Sequence, residues 1–151
     1  MLARALAGLL PPLSFHEVLQ VSQIYSLVGK LHKGQPLITQ RPFRQVHHTA
    51  SKISIVGGGR NLIPGEVSLA HKGILFFDEV PEFPREVLEV LRQPIEDKSV
   101  SISRVTGTVA YPANFMFVGT MNPSPCGFYK DPEIPCKSSI TEVKRYQSKI
   151  S

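Results

Sequence analysis

The chain has 151 residues, 42% of them hydrophobic and 19% charged, which is enough for one compact domain with its own core. No apolar run approaches the roughly 18 residues that a membrane-spanning helix needs, and two cysteines do not make a disulfide framework, so a reducing cytoplasm is expected. The net charge of +5 and the pI near 9.4 favour an acidic partner such as nucleic acid and a mildly basic surface about equally.

The first two predicted elements are helices. Leucines at helical spacing predict a helix over Met1–Leu10, which a pair of prolines ends. Its apolar stretch resembles a signal peptide only faintly, because no convincing cleavage site follows it, and it is assigned to the fold. Ser14–Glu17 reads as a capping box for a second helix that runs to about Leu27.

The middle of the chain alternates short elements with glycine-rich breaks. A loop is predicted over Gly29–Gln35, and the β character of residues 37–39 predicts a short strand within Pro36–Arg44. A helix is predicted to begin in Thr49–Val56. Gly57–Gly59 interrupts it, and a helical turn resumes over Glu66–His71.

A buried strand opens the second half of the chain. Gly73–Phe77 is continuously apolar, which is typical of a strand that is covered on both faces of a parallel sheet. Strands that alternate with helices predict an α/β fold with a mostly parallel sheet. The later predicted elements are a helix over Pro84–Glu96, a hairpin over Val100–Ala110, a second buried strand over Phe115–Thr120, a loop over Pro123–Pro135 and a helix over Ile140–Ile150.

Two acids follow the first buried strand directly. Asp78 and Glu79 would lie at the carboxyl end of a parallel strand, where sheets of this kind bind ligands. We expect Asp78 to hold Mg²⁺ through water, and Glu79 to accept a proton from the attacking water or to orient it. A solvated acidic turn explains the same residues about as well when they are taken alone.

A neutral amide ends the second buried strand. Asn122 could hydrogen-bond a γ-phosphate or the attacking water without adding negative charge, or it could simply cap the turn before Pro123. Two such strand ends, separated by a helix and a hairpin, favour a nucleotide site more strongly than either does alone.

Four stretches of the sequence resemble the magnesium-chelatase-like AAA+ ATPases, and especially their competence-protein ComM-like branch. The resemblance covers nearly the whole chain. The stretches are RPFRQVHHTAS (Arg41–Ser51), VGGGRNLIPGEVSLAHKGILFFDEVPEF (Val56–Phe83), VSISRVTGTVAYPANFMFVGTMNPSPCG (Val100–Gly127) and KRYQSKIS (Lys144–Ser151).

The resemblance implies a fold and a site. The fold would be an AAA+ P-loop NTPase core, with a mostly parallel sheet, helices on both faces and a β-hairpin before the sensor strand. Asp78 and Glu79 match the Walker B acids, and Asn122 matches sensor 1, so the cofactors would be ATP and Mg²⁺. Gly57–Gly59 and Ser101–Val109 match two insertions that face the central pore of related rings.

The family's phosphate loop, GxxxxGK[ST], does not occur in the sequence. The resemblance places that loop just before Met1, and the arginine finger and helical lid after Ser151. Residues 1–151 are therefore expected to be a partial AAA+ domain, truncated at both ends. We expect such a chain alone to fold marginally and to show no measurable ATPase activity.

Three functional hypotheses remain open. The first is a fragment of an ATP-driven, homo-oligomeric ring motor that acts on DNA in branch migration during DNA uptake. The second is the ATPase subunit of a magnesium chelatase, and the third is a non-catalytic remnant. A cytoplasmic protein with no membrane partner is expected from the cysteine content and from the lack of a long apolar run.

Weaker signals concern cysteine, histidine and arginine. Cys126 and Cys136 would make half of a tetrahedral zinc site, and a pair of free thiols is favoured over zinc. Adjacent histidines, 47 and 48, point to opposite faces of a strand, which favours structural roles. Arg60, Lys98 and Arg104 on the insertions could contact a phosphate backbone, although a solvated surface explains them better.

Overall fold

The computed structural model describes residues 2–31, 34, 36–105 and 107–149. Met1, Gln35 and Ile150, where three predicted elements begin or end, lie outside this range. The elements are α1 (Leu2–Leu9), α2 (Phe15–Leu27), β1 (Phe43–Val46), α3 (Lys52–Val56), β2 (Gly57–Gly58), β3 (Ile63–Pro64), α4 (Glu66–Leu69), β4 (Ile74–Phe77), a 3₁₀ turn (Val80–Glu82), α5 (Arg85–Val90), α6 (Arg92–Asp97), β5 (Ser99–Arg104), β6 (Gly107–Pro112), β7 (Met116–Gly119) and α7 (Ile140–Gln147).

A three-stranded parallel sheet, in the order β1-β4-β7, forms the centre of the fold. All four side chains of β4 are buried, because β4 has a strand on each side and packed elements on each face. This explains why its sequence is apolar without alternation.

The two faces of the sheet carry different layers. Leu75 and Phe77 point into the main core, where they join apolar side chains of α3, α4 and α5. On the opposite face Phe43 stacks on Phe76, and the Arg4 guanidinium of α1 lies 5.6 Å from the Phe43 ring centroid. Helices therefore flank a parallel sheet, and the predicted α/β class is confirmed.

Two serines begin helices in the same way. The hydroxyl of Ser14 accepts from the backbone N–H of Glu17, whose carboxylate accepts from the N–H of Ser14, so the predicted capping box is confirmed. Ser139 and Glu142 form a second capping box at α7. None of the described helices is long and apolar enough to cross a membrane.

Three sequence-based predictions are wrong in detail. The strand placed within Pro36–Arg44 begins only at Phe43, because the Ile38 N–H bonds the Ser22 hydroxyl instead of a strand. The helix placed over Pro84–Glu96 is two segments joined at Leu91, since a proline at position 94 has no N–H for the carbonyl four residues earlier.

Strand β7 is largely exposed, although its apolar sequence predicts a buried strand. Met116 and Phe117 are 43% and 37% exposed, because β7 is an edge strand with β4 on one side only. The hairpin is confirmed, and its strands β5 and β6 are antiparallel. The glycine interruption is also confirmed, as β2 pairs with β3 between α3 and α4.

Candidate active site

The predicted catalytic acids lie where two parallel strands end side by side. Phe77 of β4 is in register with Gly119 of β7, so the residues that follow each strand leave the same edge of the sheet. Asp78 and Glu79 follow β4, and both are exposed to solvent. The structure therefore brings these acids to the edge at which parallel sheets bind ligands.

Thr120 connects the two strand ends through four hydrogen bonds. Its backbone N–H donates to the Phe77 carbonyl at 3.0 Å, and its carbonyl accepts from the Val80 N–H at 2.9 Å. Its hydroxyl accepts from the Glu79 N–H at 3.1 Å and donates to Asp78 Oδ1 at 2.5 Å. The residue that follows β7 thus contacts the backbone or side chain of four successive residues, the last residue of β4 and the three after it.

Glu79 has a strained backbone. Its φ of 55° and ψ of 55° lie in the left-handed region, which residues other than glycine seldom occupy. This conformation turns the chain from β4 into the 3₁₀ turn, where Pro81 packs in the interior. Strain of this kind persists only where surrounding contacts enforce it, and it is often found at functional sites.

Asn122 lies two residues beyond Thr120 and is exposed. Among the described residues, its side chain makes no hydrogen bond to Asp78 or Glu79, so the structure does not join the predicted sensor residue to the two acids directly. The backbone beside it is held by α7, because Gln147 donates to the Pro123 carbonyl at 3.0 Å.

Tyr146 of α7 is buried beside this strand end, and no local pattern in the sequence indicates that position. Burial raises the pKa of the Tyr146 phenol, against the effect of a hydrogen bond to the Asn122 backbone, and the nearby carboxylates of Glu82 and Glu79 raise it further. Lys149 Nζ donates to the Pro81 carbonyl at 2.8 Å. Helix α7 and the residues just after it therefore contact the segments that follow both strands.

The two predicted insertions pack against each other. A Cβ on Gly57 would lie 2.7 Å from Ile102 Cδ1 of β5, and it would also overlap the Ile63 carbonyl oxygen at 2.6 Å, which is backbone and cannot move aside, so only glycine fits where the β2–β3 insertion meets β5. Arg60 and Arg104 share a hollow of ≈ 290 Å³ at the tips of these insertions. Lys98 donates to the Ile95 carbonyl at the end of α6 and does not line that hollow.

His71 has a structural role. His71 is buried, and its Nδ1 accepts from the Asn114 N–H at 3.1 Å while Nε2 faces Gln20 Oε1 at 3.4 Å. Burial, and then the charge of Lys72, lowers the pKa of His71 to about 4. The His48 ring meets Phe83 edge-on, and within the described part of the chain no group of three His, Cys, Asp or Glu residues could hold a metal.

The cysteine pair lies in the loop after β7. The sulfur atoms of Cys126 and Cys136 are 2.6 Å apart, and both residues are half-buried. The buried Ser124 hydroxyl lies 3.3 Å from the Cys126 sulfur and 3.8 Å from the Cys136 sulfur. Contacts with Cys136 and then Ser124 lower the pKa of the Cys126 thiol to about 5.

The whole chain is similar to a known protein family and to several bacterial proteins. A family model described as magnesium chelatase, subunit ChlI, matches residues 1–151. The uncharacterized protein YifB of Salmonella typhimurium is 47% identical over 151 residues, 100% of this chain and 29% of that protein. Competence protein ComM of Haemophilus influenzae is 43% identical over 154 residues, with the same two shares.

One solved structure shows the same fold. A complex between the BchI and BchD subunits of magnesium chelatase has a TM-score of 0.60 and 19% identity, and the match covers 97% of this chain and 53% of that chain. The chain spans less than a third of the length of the curated relatives that it matches.

Proposed function

Because the chain belongs to the magnesium chelatase subunit ChlI family, we propose that it carries the water-activating part of an AAA+ ATPase. The observation that carries this proposal is the pair of exposed acids, Asp78 and Glu79, at the carboxyl end of the buried central strand. The pairing of β4 with β7 supports the proposal, because Asn122 follows β7 three residues after its end at that edge of the sheet.

Each residue has a distinct proposed role. Asp78 would hold Mg²⁺ through water, and its carboxylate suits this ion because Thr120 engages Oδ1 and leaves the second oxygen for a metal-bound water. The ion would neutralise charge on the phosphates of ATP. Glu79 accepts a proton from the attacking water or orients it, and Asn122 bonds that water or the γ-phosphate.

The whole protein would work as a homo-oligomeric ring in the cytoplasm. The chain spans less than a third of the length of these relatives, so the ring is a proposal for the whole protein. The solved relative is itself a complex of two magnesium chelatase subunits, which supports an assembled ATPase.

We propose DNA as the substrate of this motor, acted on during DNA uptake and recombination. Arg60 and Arg104 reach one hollow from separate insertions, and two guanidinium groups at loop tips suit a phosphate backbone. A relative at 43% identity is named a competence protein, which agrees with this choice. A magnesium chelatase ATPase subunit is the second candidate, favoured by the family description.

The ATPase proposal is tested with Glu79→Gln in the full-length product of the gene that encodes this chain. Loss of the carboxylate removes the base but keeps the shape, and we expect kcat to fall about 10²–10⁴-fold. Glu82→Gln is the matched control, because Glu82 is an exposed glutamate three residues away, and its rate should change less than about twofold. Equal rates for both variants, or no ATPase activity in the parent protein, would contradict the proposal.

The DNA proposal is tested by fluorescence anisotropy with a labelled oligonucleotide over a range of salt concentrations. Replacing Arg60 and Arg104 by Gln should weaken binding and reduce the slope of log K against log salt by about 1–2. Replacing Arg85 and Arg92, which lie on α5 and α6, removes the same charge away from the hollow and serves as the control. Equal slopes for the two double variants would favour the chelatase alternative.

A further inference from the structure

Thr120 is the residue in which the hydrogen bonds of the candidate site converge. A carboxylate can only accept hydrogen bonds, so the single hydroxyl proton of Thr120 must go to Asp78. The hydroxyl lone pairs are then left for the Glu79 N–H. The hydroxyl therefore donates one hydrogen bond and accepts another, and the two partners together define the orientation of this side chain.

We infer that Thr120 is a positioning residue that fixes Asp78 and Glu79 relative to the end of β7; the inference rests on the ATPase proposed above. Its hydroxyl turns one oxygen of Asp78 toward β7 and leaves the other for the nucleotide side. Its bond to the Glu79 N–H holds that residue in the left-handed conformation, which an unconstrained glutamate would leave.

The arrangement also links the acids to Asn122. Thr120 and Asn122 are on the same strand end, so a displacement of that end reaches both acids through one side chain. A strand end that only needed capping would require no contact with a carboxylate. The hydroxyl bond to Asp78 is therefore the contact that an experiment should remove.

The first test compares Thr120→Val, which keeps the shape and loses the hydroxyl, with Thr120→Ser, which keeps the hydroxyl. The readout is hydrogen exchange of the Glu79 amide, followed by NMR in this protein. Thr120→Val should speed exchange roughly tenfold, and Thr120→Ser less than about threefold. Should Thr120→Val fail to fold, Thr120→Ala takes its place. Equal exchange in all variants would overturn the inference.

The second test measures kinetics in the full-length gene product. Thr120→Val should lower kcat about 10–100-fold with KM for ATP changed less than about twofold, and Thr120→Ser should restore most of the rate. A purely structural role would instead lower both variants together with their melting temperatures. If the parent protein hydrolyses no ATP, the proposed function fails, while the exchange comparison still decides the role of Thr120.

An independent observation concerns the cysteine pair. Two sulfur atoms 2.6 Å apart, with one hydroxyl beside both, are placed for covalent bonding. The Tyr129 N–H donates to that Ser124 hydroxyl at 3.2 Å, which folds the loop back on itself and holds the pair together. The two cysteines are ten residues apart, so their approach comes from the fold of the loop.

We propose that Cys126 and Cys136 form a reversible disulfide, with a low-molecular-weight disulfide as the oxidant. The Cys126 thiolate attacks one sulfur of the oxidant, forms a mixed disulfide and releases one thiolate. The Cys136 thiolate then attacks the Cys126 sulfur and releases the second. The protein loses two protons and two electrons, and the oxidant becomes two thiols. The disulfide would close the loop from Cys126 to Cys136. Because this loop begins four residues after Asn122, oxidation would restrain the chain that follows β7.

The test counts thiols by alkylation and mass spectrometry after incubation with oxidised and then reduced glutathione. The oxidised protein should resist alkylation at both cysteines and weigh two hydrogens less, and reduced glutathione should restore both thiols. Cys126→Ser and Cys136→Ser are the controls, each of which should keep one alkylatable thiol or carry glutathione. Two freely alkylated thiols in oxidised glutathione, or stoichiometric zinc bound to both in the purified protein, would overturn the proposal.

Discussion

Strands β4 and β7 pair directly, yet they occupy opposite environments. Both were predicted to be buried from continuous apolar sequences, ILFF and MFVG. Every side chain of β4 is buried, whereas Met116 of β7 is 43% exposed. Apolar sequence therefore predicted the strands, but the number of neighbouring strands decided their burial.

The largest expected effect tests this difference with a cross-strand pair. Ile74 is fully buried and is in register with Met116. Ile74→Ala should lower the free energy of unfolding by about 3 kcal/mol, because it leaves a cavity in the interior. Met116→Ala is the matched control and should lower it by less than about 1 kcal/mol, since water already reaches that side chain. Urea denaturation measures both values, and equal losses would refute the contrast.

A second, smaller effect compares glycines at the ends of the same two strands. A Cβ on Gly73, before β4, would overlap the Pro42 carbonyl oxygen, and backbone cannot move aside. On Gly119, in β7, it would meet the Val80 side chain, which can give way. Gly73→Ala should destabilise the protein by about 2 kcal/mol and Gly119→Ala by about 1 kcal/mol or less. Thermal unfolding measures both, and a larger loss at Gly119 would reverse the comparison.

The smallest effect is a pH dependence at the start of β7, where Asn114 donates to His71. Burial and Lys72 lower the pKa of His71 to about 4, so the unfolded chain takes up the proton first as the pH falls below about 6.5. His71 thus contributes stability above that pH and loses it toward pH 4, although the nearby Glu17 carboxylate opposes the shift.

With allowance for solvent screening, the loss between pH 7 and pH 5 should be about 1 kcal/mol. Urea denaturation at the two pH values measures it in the parent protein. His71→Gln is the control and should flatten this part of the pH profile. An unchanged profile in that variant would assign the pH dependence to other groups.

Much of the candidate site could be predicted from the sequence because its residues follow strands directly. Asp78 and Glu79 come directly after four apolar residues. Because parallel strands end at one edge of a sheet, the place of these acids in the sequence is enough to predict that they lie at that edge. The roles of these residues remain predictions. The role of Thr120 could not be predicted from the sequence, because a threonine at the end of a strand has no distinctive local pattern.

The sequence by itself determined the elements whose causes are local. The Ser14 capping box, the glycine break after Val56 and the hairpin over residues 99–112 each depend on a few adjacent residues. Local chemistry of this kind is nearly independent of what the rest of the chain does.

Only the tertiary structure decided the contacts between distant residues. It left β7 at an edge, brought the Thr120 hydroxyl onto Asp78 and placed the Cys126 and Cys136 sulfur atoms 2.6 Å apart. These outcomes depend on how strands, loops and α7 pack together. A pattern of adjacent residues carries no information about such partners, because side-chain neighbours in space are set by the whole fold.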